Sequence, residues 1–78
     1  MGSNLITTYQ LAKLLGVSVA SVNYYTNLGL FKIKDRKGNT RLYDRDAVSN
    51  TYKTIQRLRK EGYSLMLIKQ RLDRGYSV

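Results

Sequence analysis

Two apolar-periodic runs, Leu11–Leu15 and Val19–Tyr25, are separated only by Gly16-Val17-Ser18. So short a spacer forces both segments to turn sharply against each other, and this constrains the fold more than any other feature. Gly16 can take the left-handed conformation that closes a helix. Ser18 is a preferred N-cap, because its hydroxyl accepts a hydrogen bond from an unpaired first-turn amide. Upstream, Thr7-Thr8-Tyr9-Gln10 has capping-box spacing, with Thr7 as the cap and Gln10 reaching back. Leu11, Ala12, Leu14 and Leu15 then form the apolar stripe of a first helix of about eight residues. In the second helix, Val19, Val22 and Tyr25, with Thr26 beside them, recur at a spacing that predicts one buried face. Ala20, Ser21, Asn23 and Tyr24 are left pointing outward. Two short helices joined this closely make a helix-turn-helix unit. Small and hydrogen-bonding residues near the start of the second helix suit a DNA major groove. An ordinary helical hairpin whose polar face meets only water fits these ten residues equally well.

Beyond Gly29 the pattern changes. Leu28 and Leu30 are expected to fold back on the core. Phe31-Lys32-Ile33-Lys34 alternates apolar and basic residues, as a half-exposed strand does, and Thr40-Arg41-Leu42-Tyr43 repeats the alternation on the return. Asp35-Arg36-Lys37-Gly38-Asn39 between them is polar and carries a Gly-Asn pair suited to a hairpin turn. Six basic residues fall between Lys32 and Arg45. A basic hairpin directly after such a helix is the wing of a winged helix-turn-helix, the other reading being a solvated charged loop. Asp44 and Asp46 open a third helix at its dipole-favoured end, with Val48, Tyr52, Ile55 and Leu58 on one side and Gly62 ending it. Ser64 caps a fourth helix striped by Leu65, Ile68 and Leu72. Asp73 to Val78 show no further periodicity and are expected to fray. The fold class is therefore mainly α with a small β-hairpin: about four helices and a two-stranded wing. Residues 1–3 read as a leader, 4–73 as the domain and 74–78 as a frayed tail.

Composition narrows the chemistry. Fourteen Lys and Arg stand against five acids in 78 residues, a net charge of +9, which favours a polyanionic partner. With neither histidine nor cysteine, the commonest general base and metal ligand are missing and no disulfide framework is possible, so no enzyme and no cofactor are expected. No apolar run approaches membrane-spanning length and no signal peptide is visible.

Taken in order, Thr7-Thr8-Tyr9-Gln10-Leu11-Ala12-Lys13-Leu14-Leu15-Gly16-Val17-Ser18, then Tyr24-Tyr25, Gly29-Leu30 and Arg41-Leu42-Tyr43, then Leu58-Arg59-Lys60-Glu61-Gly62-Tyr63-Ser64-Leu65 with Ile68 and Leu72, resemble the DNA-binding domain of the MerR family of bacterial regulators. The similarity runs over roughly residues 5 to 72 with matched spacing. It implies a winged helix-turn-helix whose second helix enters the major groove while the hairpin and the later helix pair straddle the flanking backbone. Under that resemblance Ser18, Ala20, Ser21, Asn23 and Tyr24 fall on the base-reading part. Tyr25 and Arg41 fall on positions that contact the backbone or anchor the wing, and Lys34, Arg36, Lys37 and Asn39 supply the wing's phosphate contacts. Tyr43 matches an aromatic that packs at the base of the wing or touches a phosphate. Lys60, Tyr63 and Ser64 fall at a second wing. The implied partner is double-stranded DNA in the bacterial cytoplasm, at the nucleoid, with self-association through a segment absent here or RNA polymerase as further partners and no membrane.

The sequence also departs from the family. Asn23 and Ala20 stand where basic residues are usual, and asparagine can pair with adenine in a bidentate way. Met66 and Leu67 stand where the fourth helix usually carries acids; they widen the edge of the core or form an apolar protein contact. Family regulators continue into a long dimerising helix and an effector-sensing domain, so this chain reads as an excised piece of a regulator or a short protein. Short relatives of this fold are excisionase-like factors that bend DNA, and that is the alternative function. RNA binding through Tyr24, Tyr25 and Tyr63, a membrane-surface helix and a protein-interaction module are weaker readings of the same composition.

Overall fold

The computed structural model describes residues 4–74. Strand β1 (Leu5–Thr7) leads into helix α1 (Thr8–Leu15), then α2 (Val19–Asn27), strands β2 (Asp35–Lys37) and β3 (Thr40–Asp44), and helices α3 (Arg45–Lys60) and α4 (Leu65–Asp73). Among the described residues the strands form one antiparallel sheet in the order β1-β3-β2. The described residues form a winged helix-turn-helix, four helices with a hairpin wing, as the sequence predicts.

Each helix begins on the side chain that the sequence offers for it. Thr7 Oγ1 accepts from Gln10 N at 3.1 Å while Gln10 Oε1 accepts from Thr7 N at 2.9 Å, so two amides at the start of α1 are satisfied reciprocally. Gly16, at φ 72°, turns the chain so that Val17 N bonds back to Ala12 O at 3.0 Å. Ser18, Asp44 and Ser64 cap α2, α3 and α4 by accepting from Ser21 N, Ala47 N and Leu67 N. The core gathers residues from every helix: Leu11 and Ala12, Val22, Val48, Ile55 and Leu58, and Ile68, with Leu30, Phe31 and Tyr43 between them. Tyr25, Phe31 and Tyr52 pack as an aromatic cluster with ring centroids 5.1–6.5 Å apart, Tyr25 and Phe31 tilted and Tyr52 edge-on to both.

Several expectations are corrected. Phe31–Lys34 is not a strand, although its burial alternates as expected: Phe31 N bonds back to Tyr25 O at 3.3 Å, near the end of α2, and the pairing with β3 begins only at Lys34 and Asp35. The loop instead drives Phe31 into the core, and Lys34 N bonds Leu42 O at 2.8 Å just ahead of β2. Asp35-Arg36-Lys37, expected in the turn, is the strand, which leaves Gly38-Asn39 as a two-residue loop. Gly38 has φ 61° and no non-glycine residue has positive φ among the described residues, the pattern of a II′ hairpin turn. The lead-in at Leu5 forms β1, paired with Leu42, Tyr43 and Asp44, and Arg45 N bonds Asn4 O at 2.9 Å. Leu14, expected in the apolar stripe, is 52% exposed, and Val19, expected on the buried face of α2, is 40% exposed. Asp73, expected to fray, is the last residue of α4, and Arg74 is its C-cap. The expected leader at 1–3 and tail positions 75–78 lie outside the described residues.

Candidate nucleic-acid interface

A groove of about 500 Å³ runs between the start of α1, the exposed side of α2 and the tip of the wing. Thr7, Thr8 and Tyr9 line one wall, Val19, Asn23 and Asn27 the floor, and Asn39, Thr40 and Arg41 the other wall. No carboxylate lines it, and Arg41 is the one cation among its lining residues. The first turn of α1 carries no acid, so the positive end of its backbone dipole is uncompensated at the groove wall.

The wing supplies the charge. Lys34, Arg36, Lys37 and Asn39 are exposed and Arg41 is half-buried. Among the described residues the ion pairs are Arg45–Asp46 at 3.4 Å and Lys69–Asp73 at 2.5 Å, so the wing cations have no acidic partner. Arg36 and Arg41 are direct cross-strand partners. Like charges so placed repel each other in the free protein and are relieved by an anion lying across them. Four of the five acids, by contrast, are occupied locally. Asp35 accepts from Arg36 N at 2.7 Å, Asp44 caps α3, and Asp46 accepts from Asn4 Nδ2 at 2.9 Å. The hydrogen bond from Lys69 holds the Asp73 carboxyl below its ordinary range, so this pair is mutually neutralised at neutral pH.

The structure brings together Asn23, Asn39 and Arg41 of the expected site residues, all at the groove. Ala20 and Tyr24 are exposed on the adjoining side of α2. Ser18 Oγ accepts from Ser21 N and donates to Ser21 Oγ, both at 3.0 Å, leaving Ser21 with the hydroxyl proton that can point outward. Tyr25 is half-buried in the aromatic cluster. At the second wing Lys60 is exposed, Ser64 is the α4 cap, and Tyr63 is half-buried beneath the Arg71 guanidinium, 4.8 Å from its ring centroid. Met66 is 63% exposed and Leu67 is exposed beside it, so they do not widen the core edge. Tyr43 is corrected: it is fully buried, its hydroxyl 2.8 Å from Thr26 Oγ1. No phosphate can reach it there, and its place is the base of the wing. Thr7, Thr8, Tyr9, Val19, Asn27 and Thr40 are groove residues that sequence reasoning missed. The four-residue spacing that puts Val19 and Asn27 in one helical row with the expected Asn23 was the available signal for two of these positions.

The family model described as MerR HTH family regulatory protein matches residues 6–75. The Nodulation protein NolA of Bradyrhizobium sp. (strain NC92) is 34% identical over 65 residues, 82% of this chain and 27% of that protein. NolA of Bradyrhizobium elkanii is 34% identical over the same length, 29% of its own chain. The HTH-type transcriptional regulator CueR of Bacillus subtilis (strain 168) is 33% identical over 75 residues, 96% of this chain and 52% of CueR. The chain thus spans between about a quarter and a half of the length of the curated relatives it matches. No solved structure is significantly similar to it.

Proposed function

The chain belongs to the MerR family of helix-turn-helix regulatory proteins, and from that membership we propose that it binds double-stranded DNA sequence-specifically, with α2 in the major groove and the β2–β3 wing on the flanking backbone. The supporting observation is the acid-free groove of α2, continuous with wing cations that have no acidic partner among the described residues. Ser18, Ala20, Ser21, Asn23 and Tyr24 read base edges. Lys34, Arg36, Lys37, Asn39 and Arg41 hold phosphates, Tyr25 contacts the backbone or anchors the wing, and Lys60, Tyr63 and Ser64 meet the backbone on the far side. Tyr43 has no part in the contact. The protein serves as the DNA-binding part of a transcription regulator in the bacterial cytoplasm. Exposed Met66 and Leu67 meet another protomer or another protein.

The test is equilibrium binding to duplex DNA across a salt series. Each phosphate neutralised contributes about 0.9 to the log–log slope, so about five contacts give a slope near four to five. A slope near zero would remove DNA as the ligand. Selection from a random duplex pool then separates the two biological settings. Inverted repeats support a regulator that assembles in pairs, whereas tandem direct repeats with bending support an excisionase-like factor.

A further inference from the structure

We propose that α2 reads A·T base pairs, with Val19 seated against the C5-methyl of a thymine and Asn23 and Asn27 hydrogen-bonded to adenine edges. The inference rests on the DNA-binding reading above and names the base chemistry of that same surface. Its first ground is an absence within one element: Val19–Asn27 contains no Lys, Arg, Asp or Glu. Guanine is read in the major groove chiefly by Arg or Lys at O6 and N7, and cytosine by a carboxylate accepting from N4. α2 offers neither group.

The second ground is what the groove floor does offer. An asparagine amide presents one donor and one acceptor in a plane, matching adenine N6 and N7, and an apolar side chain fits the thymine methyl. Val19, Asn23 and Asn27 lie four residues apart and all line the groove. At about 1.5 Å rise per residue the row is roughly 12 Å long, enough to face roughly three to four base pairs at about 3.4 Å each. A single exposed valine is ordinary on a protein surface. Val19 differs in opening a row completed by two asparagines, in a groove whose lining holds no carboxylate. Arg41, the cation on the groove wall, stands opposite Arg36 on the wing, and that pair holds backbone phosphate.

The experiment uses the 78-residue chain and the tightest duplex selected from a random pool. Each thymine is replaced in turn by uracil, which removes only the methyl, and each adenine by 7-deazaadenine, which removes only the N7 acceptor. A·T pairs are expected at the selected positions. At one position uracil weakens binding about fourfold, the effect of one buried methyl-sized group, and Val19→Ala abolishes that difference. At another, 7-deazaadenine weakens binding about five- to tenfold, and Asn23→Ala or Asn27→Ala abolishes that difference. Val19 and Asn27 are exposed and Asn23 half-buried, and a thermal melt confirms that each variant is folded. Steep salt dependence with G·C pairs selected, with uracil silent everywhere, or with Val19→Ala keeping the thymine–uracil difference overturns the inference and leaves DNA binding standing. Binding without salt dependence, or no binding, removes both.

Discussion

Thr26 directs its single hydroxyl proton to Val22 O at 2.9 Å, so in the 2.8 Å contact Tyr43 is the donor. Removing that proton leaves Thr26 a lone pair short of a partner while the Tyr43 ring stays packed. Tyr43→Phe should therefore lower stability by about 0.5–1.5 kcal/mol in a denaturant titration. The affinity of the folded protein for DNA should be unchanged, and a large drop in it would restore a phosphate contact for Tyr43. At the groove two other residues divide the labour. Arg41→Ala is expected to weaken binding to all duplexes alike, and Asn23→Ala to relax preference at one or two base pairs, by about 1–3 kcal/mol against the wrong base. Parallel selections with the two variants check this, and indistinguishable sequence profiles would contradict the division.

At the scale of elements, the wing combines weak stability with concentrated charge. β2 is an edge strand of three exposed residues, with Arg36 facing Arg41 across the pair. Replacing Arg36 by the strand-favouring Thr should remove the repulsion and stabilise the free protein by about 0.2–1 kcal/mol. The same change should reduce the salt slope of DNA binding by about 0.9. Paired melts and salt titrations check both signs; a variant that is both less stable and equally salt-dependent would contradict this account of the wing. The helix-turn-helix shows the opposite balance. Its caps at Thr7 and Ser18 are made by neighbours three residues away, so α1 and α2 carry their own start signals and were readable directly.

The described residues share one core to which each of their helices contributes, and a chain of this size folds with only a small margin of stability. A ligand that binds only the folded state must therefore move the melting temperature visibly. Duplex DNA at about 100 times its dissociation constant adds about 2.7 kcal/mol. At about 4–8 °C per kcal/mol for a domain of this length, the midpoint should rise by about 10 °C or more. The rise should shrink as salt is added. An unchanged midpoint at saturating duplex would contradict a folded-state DNA site.

What the sequence alone determined is short-range. The four helices, their caps, the Gly16 turn and the net positive charge follow from side chains acting on backbone groups within a turn or two, so spacing in the chain is spacing in space. The resemblance added the order of the parts. The tertiary structure decided what depends on distant neighbours. Leu5–Thr7 becomes a strand only because β3, more than thirty residues on, offers its free edge. Phe31–Lys34 keeps its alternating burial yet forms no strand, because the Phe31 ring packs with Tyr25 and Tyr52 and its amide bonds to Tyr25 O near the end of α2. Val19 and Leu14 have the hydrophobicity of core residues, but the core closes on the other side of their helices and leaves them outside. The groove likewise joins residues from three separate segments. Burial is a property of the surroundings a residue meets, and periodicity records only the residue's side of that meeting.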